Sequence, residues 1–166
     1  VADIIQLSRL DEQQDAVVSM ESVELDELAK DVVNNLRDHA EKKNISLDYC
    51  GIPINIQGVR HVLYEMLYNL VDNAIKYNKE GGYVKVLLAR DNDGVRWSVE
   101  DSGIGIAREE QERIFERFYR VDKSHSRKTG GTGLGLSIVK HGAALHHARI
   151  VLNSEPGKGT KIVLRF

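Results

Sequence analysis

Hydrophobic residues recur at helical spacing in several segments of the chain, most regularly between residues 59 and 77. The apolar positions of that segment form one wide stripe: Val59, Val62, Leu63, Met66, Leu67, Leu70, Val71, Ala74 and Ile75. The same spacing predicts helices over 25–36 and from about Leu134 to His146, and residues 108–118 also read as helical. Residues 1–13 read as the end of a longer helix, because they start without an N-cap.

Short segments rich in β-branched residues lie between these helices and predict strands. They cover residues 17–23, 45–49, 54–56, 83–89, 95–99, 149–153 and 160–166. Several of the strands are joined by hairpin turns, at 91–94 and at Pro156-Gly157. Loose alternation of strands and helices with hairpins predicts an α/β fold: a two-layer sandwich of a mixed, mostly antiparallel sheet with helices on one face.

The size, net charge and cysteine content of the chain limit the classes of function that it can have. A chain of 166 residues suits one domain, and a net charge of −2 argues against a general nucleic-acid binder. The single cysteine, Cys50, has no partner for an internal disulfide and fits a reduced, cytoplasmic setting. Four basic residues and one acidic residue lie within 120–128, a balance that suits a compact anion better than a long polymer.

The flank of the helix predicted at 59–77 carries a line of polar side chains. At about 100° per residue, Glu65, Asn69, Asn73 and Lys76 follow one another along one side. Such a line is often only a solvated helix face. Asn73, however, falls inside the apolar arc, where an amide without a partner costs roughly 1–3 kcal/mol. Amides followed by a lysine could hold a cation and the phosphates that it neutralises.

The sequence Asp101-Ser-Gly-Ile-Gly-Ile106 follows directly on a predicted strand. Gly103 and Gly105 allow a tight turn with close backbone approach. An aspartate at the floor of a pocket could accept a hydrogen bond from an exocyclic amine such as that of adenine. A simple strand-ending turn is the alternative.

The sequence Gly130-Gly-Thr-Gly-Leu-Gly-Leu136 opens a predicted helix after the basic segment. Amides at a helix N-terminus bind phosphate, helped by the helix dipole. The spacing is neither that of a P-loop nor that of the Rossmann motif, and a glycine hinge without phosphate is the alternative. Residues 120–133 have no periodicity, so we predict a mobile loop there that orders when nucleotide binds.

Taken together, four motifs resemble those of the sensor histidine kinases. NLVDNAIKYN (69–78) resembles the family's N box, DSGIGI its G1 box, IFERFYRVD its F box and GTGLGLSIVK its G2 box, in the family's order. The resemblance runs from about Ser22 to Phe166. Upstream, IIQLSRLDE resembles the end of a dimerisation and phosphoacceptor domain. We therefore expect residues 1–15 to be the end of that helix and a linker, and 16–166 to be the ATP-binding catalytic domain.

The resemblance implies a Bergerat fold, shared with gyrase B, MutL and related GHKL ATPases, and a site for ATP and Mg²⁺. The expected contacts are adenine for Asp101 and Tyr77, Mg²⁺ for Asn73 and Asn69, and the phosphates for Lys76 and Arg120. Glu65 is expected as general base and forms the catalytic set with Lys76 and Arg120. The other expected nucleotide-binding residues belong to the two glycine-containing boxes: Gly103, Gly105, Ile106, Gly131, Thr132, Gly133, Leu134, Gly135 and Leu136.

The resemblance also implies a reaction and partners. ATP would phosphorylate a histidine on the dimerisation domain, which would pass the phosphoryl group to an aspartate of a response regulator. No histidine here is followed by glutamate, so the acceptor is expected upstream of Val1, in a homodimeric parent anchored in a bacterial membrane. One alternative is an ATP-hydrolysing clamp of the gyrase or MutL kind, in which a glutamate stands at the place of Asn69. The other is a non-catalytic nucleotide-binding module that regulates a partner by contact.

Overall fold

The computed structural model describes residues 19–119 and 133–166. Seven strands and three α-helices occupy these ranges. In chain order they are β1 (Glu21–Glu24), α1 (Leu25–Glu41), β2 (Ser46–Gly51), β3 (Asn55–Gly58), α2 (Arg60–Lys76), β4 (Tyr83–Asp91), β5 (Gly94–Asp101), α3 (Gly135–Leu145), β6 (Arg149–Glu155) and β7 (Gly159–Arg165). The predicted helix end at 1–13 lies outside the described residues.

The main sheet has five strands in the order β2-β4-β5-β7-β6. Only β2 and β4 are parallel, and the other three pairs are antiparallel. A parallel pair needs a crossover, which here contains α2. Strands β1 and β3 form a separate antiparallel ribbon. The prediction of a mixed, mostly antiparallel sheet is confirmed.

The helices cover one face of this sheet. Alternate residues of β4 are buried, beginning with Val84, and alternate residues of β5 are buried at Val95, Trp97 and Val99. The register pairs Leu88 with Trp97, so the two sets share a face. They join the apolar stripes of the helices in one hydrophobic core. Helix α2 lies between α1 and α3, and the prediction of helices on one face is confirmed.

The segment 108–118 differs from its prediction as a helix. It forms two single 3-10 turns, Arg108–Glu110 and Arg113–Phe115, and the backbone at Glu116 is already extended. Ile114 is the only buried residue of the two turns. A polar segment with one apolar anchor buries too little surface to stabilise a longer α-helix.

Within 19–119 and 133–166, none of the helices combines the length and the apolar composition that a membrane span requires.

His146 ties the end of α3 to the start of α2. Its Nδ1 donates to the carbonyl oxygen of Gly142 at 2.7 Å, and its Nε2 accepts from the backbone N–H of Val59 at 3.0 Å. These two bonds require the neutral imidazole with the proton on Nδ1. Burial, opposed by the bond to Gly142, lowers the pKa of His146. The spacing of the histidines in the sequence gave no sign of this structural role.

We expect this histidine to make stability depend on pH. Because the folded-state pKa is lowered, its contribution is fully present above the unfolded value of about 6.5 and is lost as pH falls through the folded pKa. Urea unfolding of the wild type should show a free energy of unfolding that decreases over this range. The variant His146→Gln removes the titrating group and should flatten the dependence, whereas the exposed control His61→Gln should not. Parallel curves for wild type and His146→Gln would contradict this role.

Candidate functional site

The polar flank of α2 meets the glycine segment at the start of α3. The Asn69 side chain donates through Nδ2 to the carbonyl oxygen of Glu65 at 2.8 Å, which leaves Oδ1 directed away from that bond. A β-carbon at position 135 would lie 2.8 Å from Asn69 Oδ1 and 3.6 Å from Asn73 Nδ2. Gly135 therefore lies against both amides, and only glycine lets the start of α3 approach Asn69 this closely.

The last turn of α2 carries two further predicted site residues. Lys76 Nζ forms an ion pair with Asp72 Oδ2 at 2.6 Å, and the Tyr77 ring is 41% exposed just after the helix. Lys43, after α1, donates to the carbonyl oxygens of Ile75 and Lys76 at 3.2 and 3.0 Å. A cation at the helix C-terminus satisfies carbonyls that have no partner within the helix. Lys43 and Asp72 were not among the predicted site residues.

Asp101 ends β5 with one carboxylate oxygen in use. Its Oδ1 accepts from the backbone N–H groups of Gly103 and Thr160, at 2.8 and 3.3 Å. Within 19–119 and 133–166, Oδ2 has no hydrogen-bond partner. Burial raises the pKa of Asp101, and the two backbone bonds oppose that shift. The carboxylate is thus held in a fixed orientation with one acceptor available.

Both glycines of the turn after Asp101 are required by close backbone contacts. A β-carbon at position 103 would overlap the carbonyl oxygen of Tyr77, which also accepts from the N–H of Ile104 at 3.0 Å. Gly105 has φ 68°, and a β-carbon there would overlap the carbonyl oxygen of Glu155. The Ile106 N–H donates to Ser154 Oγ at 2.8 Å, which anchors the turn to β6.

Three polar residues join this turn to the end of α2. Ser102 Oγ accepts from the Tyr83 N–H at 2.8 Å and donates to Asn78 Oδ1 at 3.1 Å. Asn78 Nδ2 in turn donates to the Tyr83 carbonyl oxygen at 2.9 Å. The two predicted boxes are therefore parts of one hydrogen-bonded unit. Ser102 and Asn78 lie inside those motifs but were not predicted as site residues, because their partners are known only from the folded structure.

The glycine-rich segment is described from Gly133 onward. Gly133 has φ 76°, and its carbonyl oxygen accepts from the N–H of Phe118 at 3.0 Å. Leu134 is fully buried and Leu136 is half-buried, so these two positions fix the start of α3 to the core. Arg120, Gly131 and Thr132, with the predicted mobile loop up to 132, lie outside the described residues.

A cavity of about 660 Å³ borders Asp101 and Thr160 but not the flank of α2. Its basic side chains are largely paired internally: Lys161 with Glu100 at 2.9 Å and Lys158 with Glu155 at 2.7 Å. Asn69, Asn73 and Gly135 are not among the residues that line it, and we assign it no ligand.

The part of the sequence that carries the paired amides, the oriented aspartate and the glycine segment at a helix start matches a known family. The model of the histidine kinase-, DNA gyrase B- and HSP90-like ATPases matches residues 58–166, which include α2, the turn after β5 and α3. The chain belongs to this family. Membership in an ATPase family implies that the domain binds ATP.

Individual relatives are named as sensor kinases. The chain is 39% identical over 165 residues to the sensor-like histidine kinase SenX3 of Mycolicibacterium smegmatis, covering 99% of this chain and 43% of the relative. It is 37% identical to the phosphate regulon sensor protein PhoR of Pseudomonas aeruginosa, with coverage of 99% and 37%. The chain therefore spans less than half the length of these relatives.

Among solved structures, the catalytic domain of histidine kinase ThkA superposes with a TM-score of 0.76 at 28% identity, covering 88% of this chain and 93% of that one. This likeness agrees with the two-layer fold described above.

Removing the Ser102 hydroxyl should destabilise the domain. The variant Ser102→Ala leaves the Tyr83 N–H and Asn78 Oδ1 without this partner, and we expect a loss of about 1–3 kcal/mol in the free energy of unfolding. The exposed control Ser46→Ala should change it by less than about 0.5 kcal/mol. Equal unfolding curves for the two variants would show that the hydroxyl does not join α2 to the turn.

Proposed function

We propose that this domain binds ATP with Mg²⁺ and transfers the γ-phosphoryl group to a histidine of a dimerisation and phosphoacceptor domain. That histidine would then phosphorylate an aspartate of a response regulator. The observation that carries the proposal is the close approach of Gly135, at the N-terminus of α3, to the amides of Asn69 and Asn73, which leaves no room for a β-carbon between them. The sensor kinase names of relatives 37–39% identical over the chain support the choice of reaction.

At the adenine end, we assign base recognition to Asp101 and stacking to Tyr77. The Oδ2 oxygen available at Asp101 suits the N–H of an exocyclic amine, because a carboxylate can only accept. Tyr77 lies directly beside the turn, because its carbonyl oxygen accepts a hydrogen bond from the N–H of Ile104. Its side chain is exposed there and could stack on the base. Gly103, Gly105 and Ile106 would line the base with backbone atoms.

At the phosphate end, the amides of Asn73 and Asn69 fit a magnesium site. Mg²⁺ prefers oxygen ligands and is usually held by few protein groups together with substrate phosphates. The Asn69 Nδ2 is occupied by the Glu65 carbonyl, so its Oδ1 is the atom left facing position 135. When bound, the ion would neutralise charge on the phosphates.

The rest of the chain would position the phosphates and stabilise the transferring group. Peptide N–H groups at the start of α3 suit anionic oxygens. We assign this role to the backbone of Gly133, Leu134, Gly135 and Leu136. We assign Lys76 and Arg120 to the phosphate chain and Gly131 and Thr132 to its cover, on the strength of the motifs. The acceptor imidazole would attack the γ-phosphorus as the bond to the β-phosphate oxygen breaks and ADP leaves. Charge neutralisation and positioning are the main sources of rate in such transfers.

Glu65 is the proposed general base, and this role rests on its place in the motif. It lies on the same flank of α2 as the amide pair, half-buried. A base at this position would accept the imidazole proton during transfer.

The proposal extends to the parent protein. We assign residues 1–15 to the end of the phosphoacceptor helix and a linker, and 16–166 to the catalytic domain. The parent would be a homodimer anchored in a bacterial membrane, with this domain in the cytoplasm.

The main alternative is an ATP-hydrolysing clamp. In such enzymes a glutamate activates water at the position of Asn69, and an amide does not accept the proton that hydrolysis releases. Here the Asn69 amide is moreover engaged with the Glu65 carbonyl. This favours transfer to a separate acceptor over hydrolysis.

Replacing one oxygen of Asp101 tests the adenine end. In Asp101→Asn, an amide oxygen can keep the bonds from Gly103 and Thr160, while the amide nitrogen presents donors to the amine of the base. Loss of a charge-assisted bond predicts ATP binding weaker by about 10–100-fold in calorimetry. The surface control Asp93→Asn should bind as the wild type does. Unchanged affinity in Asp101→Asn would remove this carboxylate from the site.

Transfer in trans tests the reaction itself. Incubated with ATP, Mg²⁺ and a separate phosphoacceptor domain, this chain should place acid-labile, base-stable phosphate on a histidine of that domain. The rate should be low, because separate domains lack the high effective concentration of a tethered pair. A sample without acceptor should hydrolyse ATP barely above background. Rapid hydrolysis without labelling would favour the clamp, and tight binding with neither activity would favour a regulatory module.

A further inference from the structure

The ion pair between Asp72 and Lys76 is the shortest among the described residues, at 2.6 Å between Oδ2 and Nζ. Both side chains are partly withdrawn from water, with 15% of Asp72 and 33% of Lys76 exposed. Most other described pairs are more open to solvent. A partly desolvated pair is screened less and interacts more strongly than a surface pair.

The pair holds the Lys76 ammonium on one side of α2. At about 100° per residue, Asp72 lies about 40° around the helix from Lys76, whereas Asn69 and Asn73 lie about 20° and 60° around it in the opposite direction. Gly135 contacts the amide side. The ion pair therefore draws the lysine head group away from the side where the phosphates would bind.

Asp72 has a second neighbour on its own side of the helix. Burial, and then the negative charge of Asp72, raises the pKa of the Tyr68 phenol. Tyr68 stacks on Tyr64 with ring centroids 6.1 Å apart, so this flank is a packed surface. The carboxylate thus lies beside this aromatic surface while it pairs with the lysine.

No other lysine or arginine of α2 can replace Lys76. Apart from Arg60 at its first position, Lys76 is the only such residue in the helix. The C-terminal end of a helix carries partial negative charge, which disfavours a nearby anion. Lys43 also lies at this end, but its ammonium is engaged with the carbonyl oxygens of Ile75 and Lys76, so Lys76 is the side chain of α2 that a phosphate would use.

We propose that Asp72 is a positioning residue that holds Lys76 away from the phosphate site in the nucleotide-free domain, so that the phosphates must displace it. This rests on the proposed ATP site and adds a residue that sets its affinity. The carboxylate lowers the affinity for any ligand that needs the lysine, and has no effect on a ligand without phosphate. Adenosine and ATP thus separate the effect at Lys76 from effects at the adenine end.

The test measures ATP and adenosine binding by calorimetry for a set of variants. Asp72→Asn and Asp72→Ser remove the competing charge, and each should tighten ATP about 2–5-fold, the range for a pair worth up to about 1 kcal/mol. Adenosine affinity should not change. Asp72→Glu keeps a carboxylate at the same helical spacing and should restore the wild-type ATP affinity. Urea unfolding of each variant shows whether any change in binding follows from lost stability.

A double-mutant cycle with Lys76→Met separates competition from simple repulsion. Lys76→Met should weaken ATP, and Asp72→Asn should then have no further effect, because there is no lysine left to release. Tightening that persists in the Lys76→Met background would mean that Asp72 only repels phosphate, and the inference would be wrong. Unchanged or weaker ATP binding in folded Asp72→Asn would also overturn it. If the wild type binds no ATP at all, the proposed function itself is wrong. If the wild type binds ATP but Asp72→Asn does not tighten it, only the inference about Asp72 is wrong.

Discussion

The close contact between the end of α2 and the turn after β5 is the constraint on which the candidate site depends. The carbonyl oxygen of Tyr77 accepts from Ile104 and leaves no room for a β-carbon at position 103. Ser102 adds bonds to Asn78 and Tyr83 beside this contact. Through it, the amides of α2 and the carboxylate of Asp101 are held at fixed relative positions, although 27 residues lie between Asn73 and Asp101 in the sequence.

The fold was largely predictable from the sequence because its elements have strong patterns. The stripe of α2 and the alternation of β4 and β5 both arise from burial on one side, and the structure contains them close to the predicted positions. The segment 108–118 was predicted wrongly because its charged residues favour helix locally, while only Ile114 is buried to stabilise one. The sequence pattern of a segment gives its preference for helix or strand, and packing in the folded chain decides how much of that helix or strand forms.

The sequence predicted candidate site residues whose side chains suit a ligand, but it did not predict the residues that hold those side chains in place. Asn69, Asn73 and Gly135 were predicted from their motifs, and the structure brings these three residues close together. Asp72, Lys43 and His146 were not found, because their roles depend on partners that only the folded chain provides. An aspartate four residues before a lysine is common on helix surfaces, and nothing in that spacing tells whether the pair is exposed or partly buried.

The position of β7 within the sheet has a consequence for synthesis on the ribosome. This strand, the last in the described chain, lies between β5 and β6, and β6 has no other strand partner among the described residues. It also supplies the Thr160 N–H that orients Asp101. A nascent chain that has not yet released β7 therefore lacks both an assembled sheet and an oriented aspartate, even with α2 already made. Acquisition of nucleotide binding would accordingly report that β7 has emerged from the ribosome and has paired with its two neighbours.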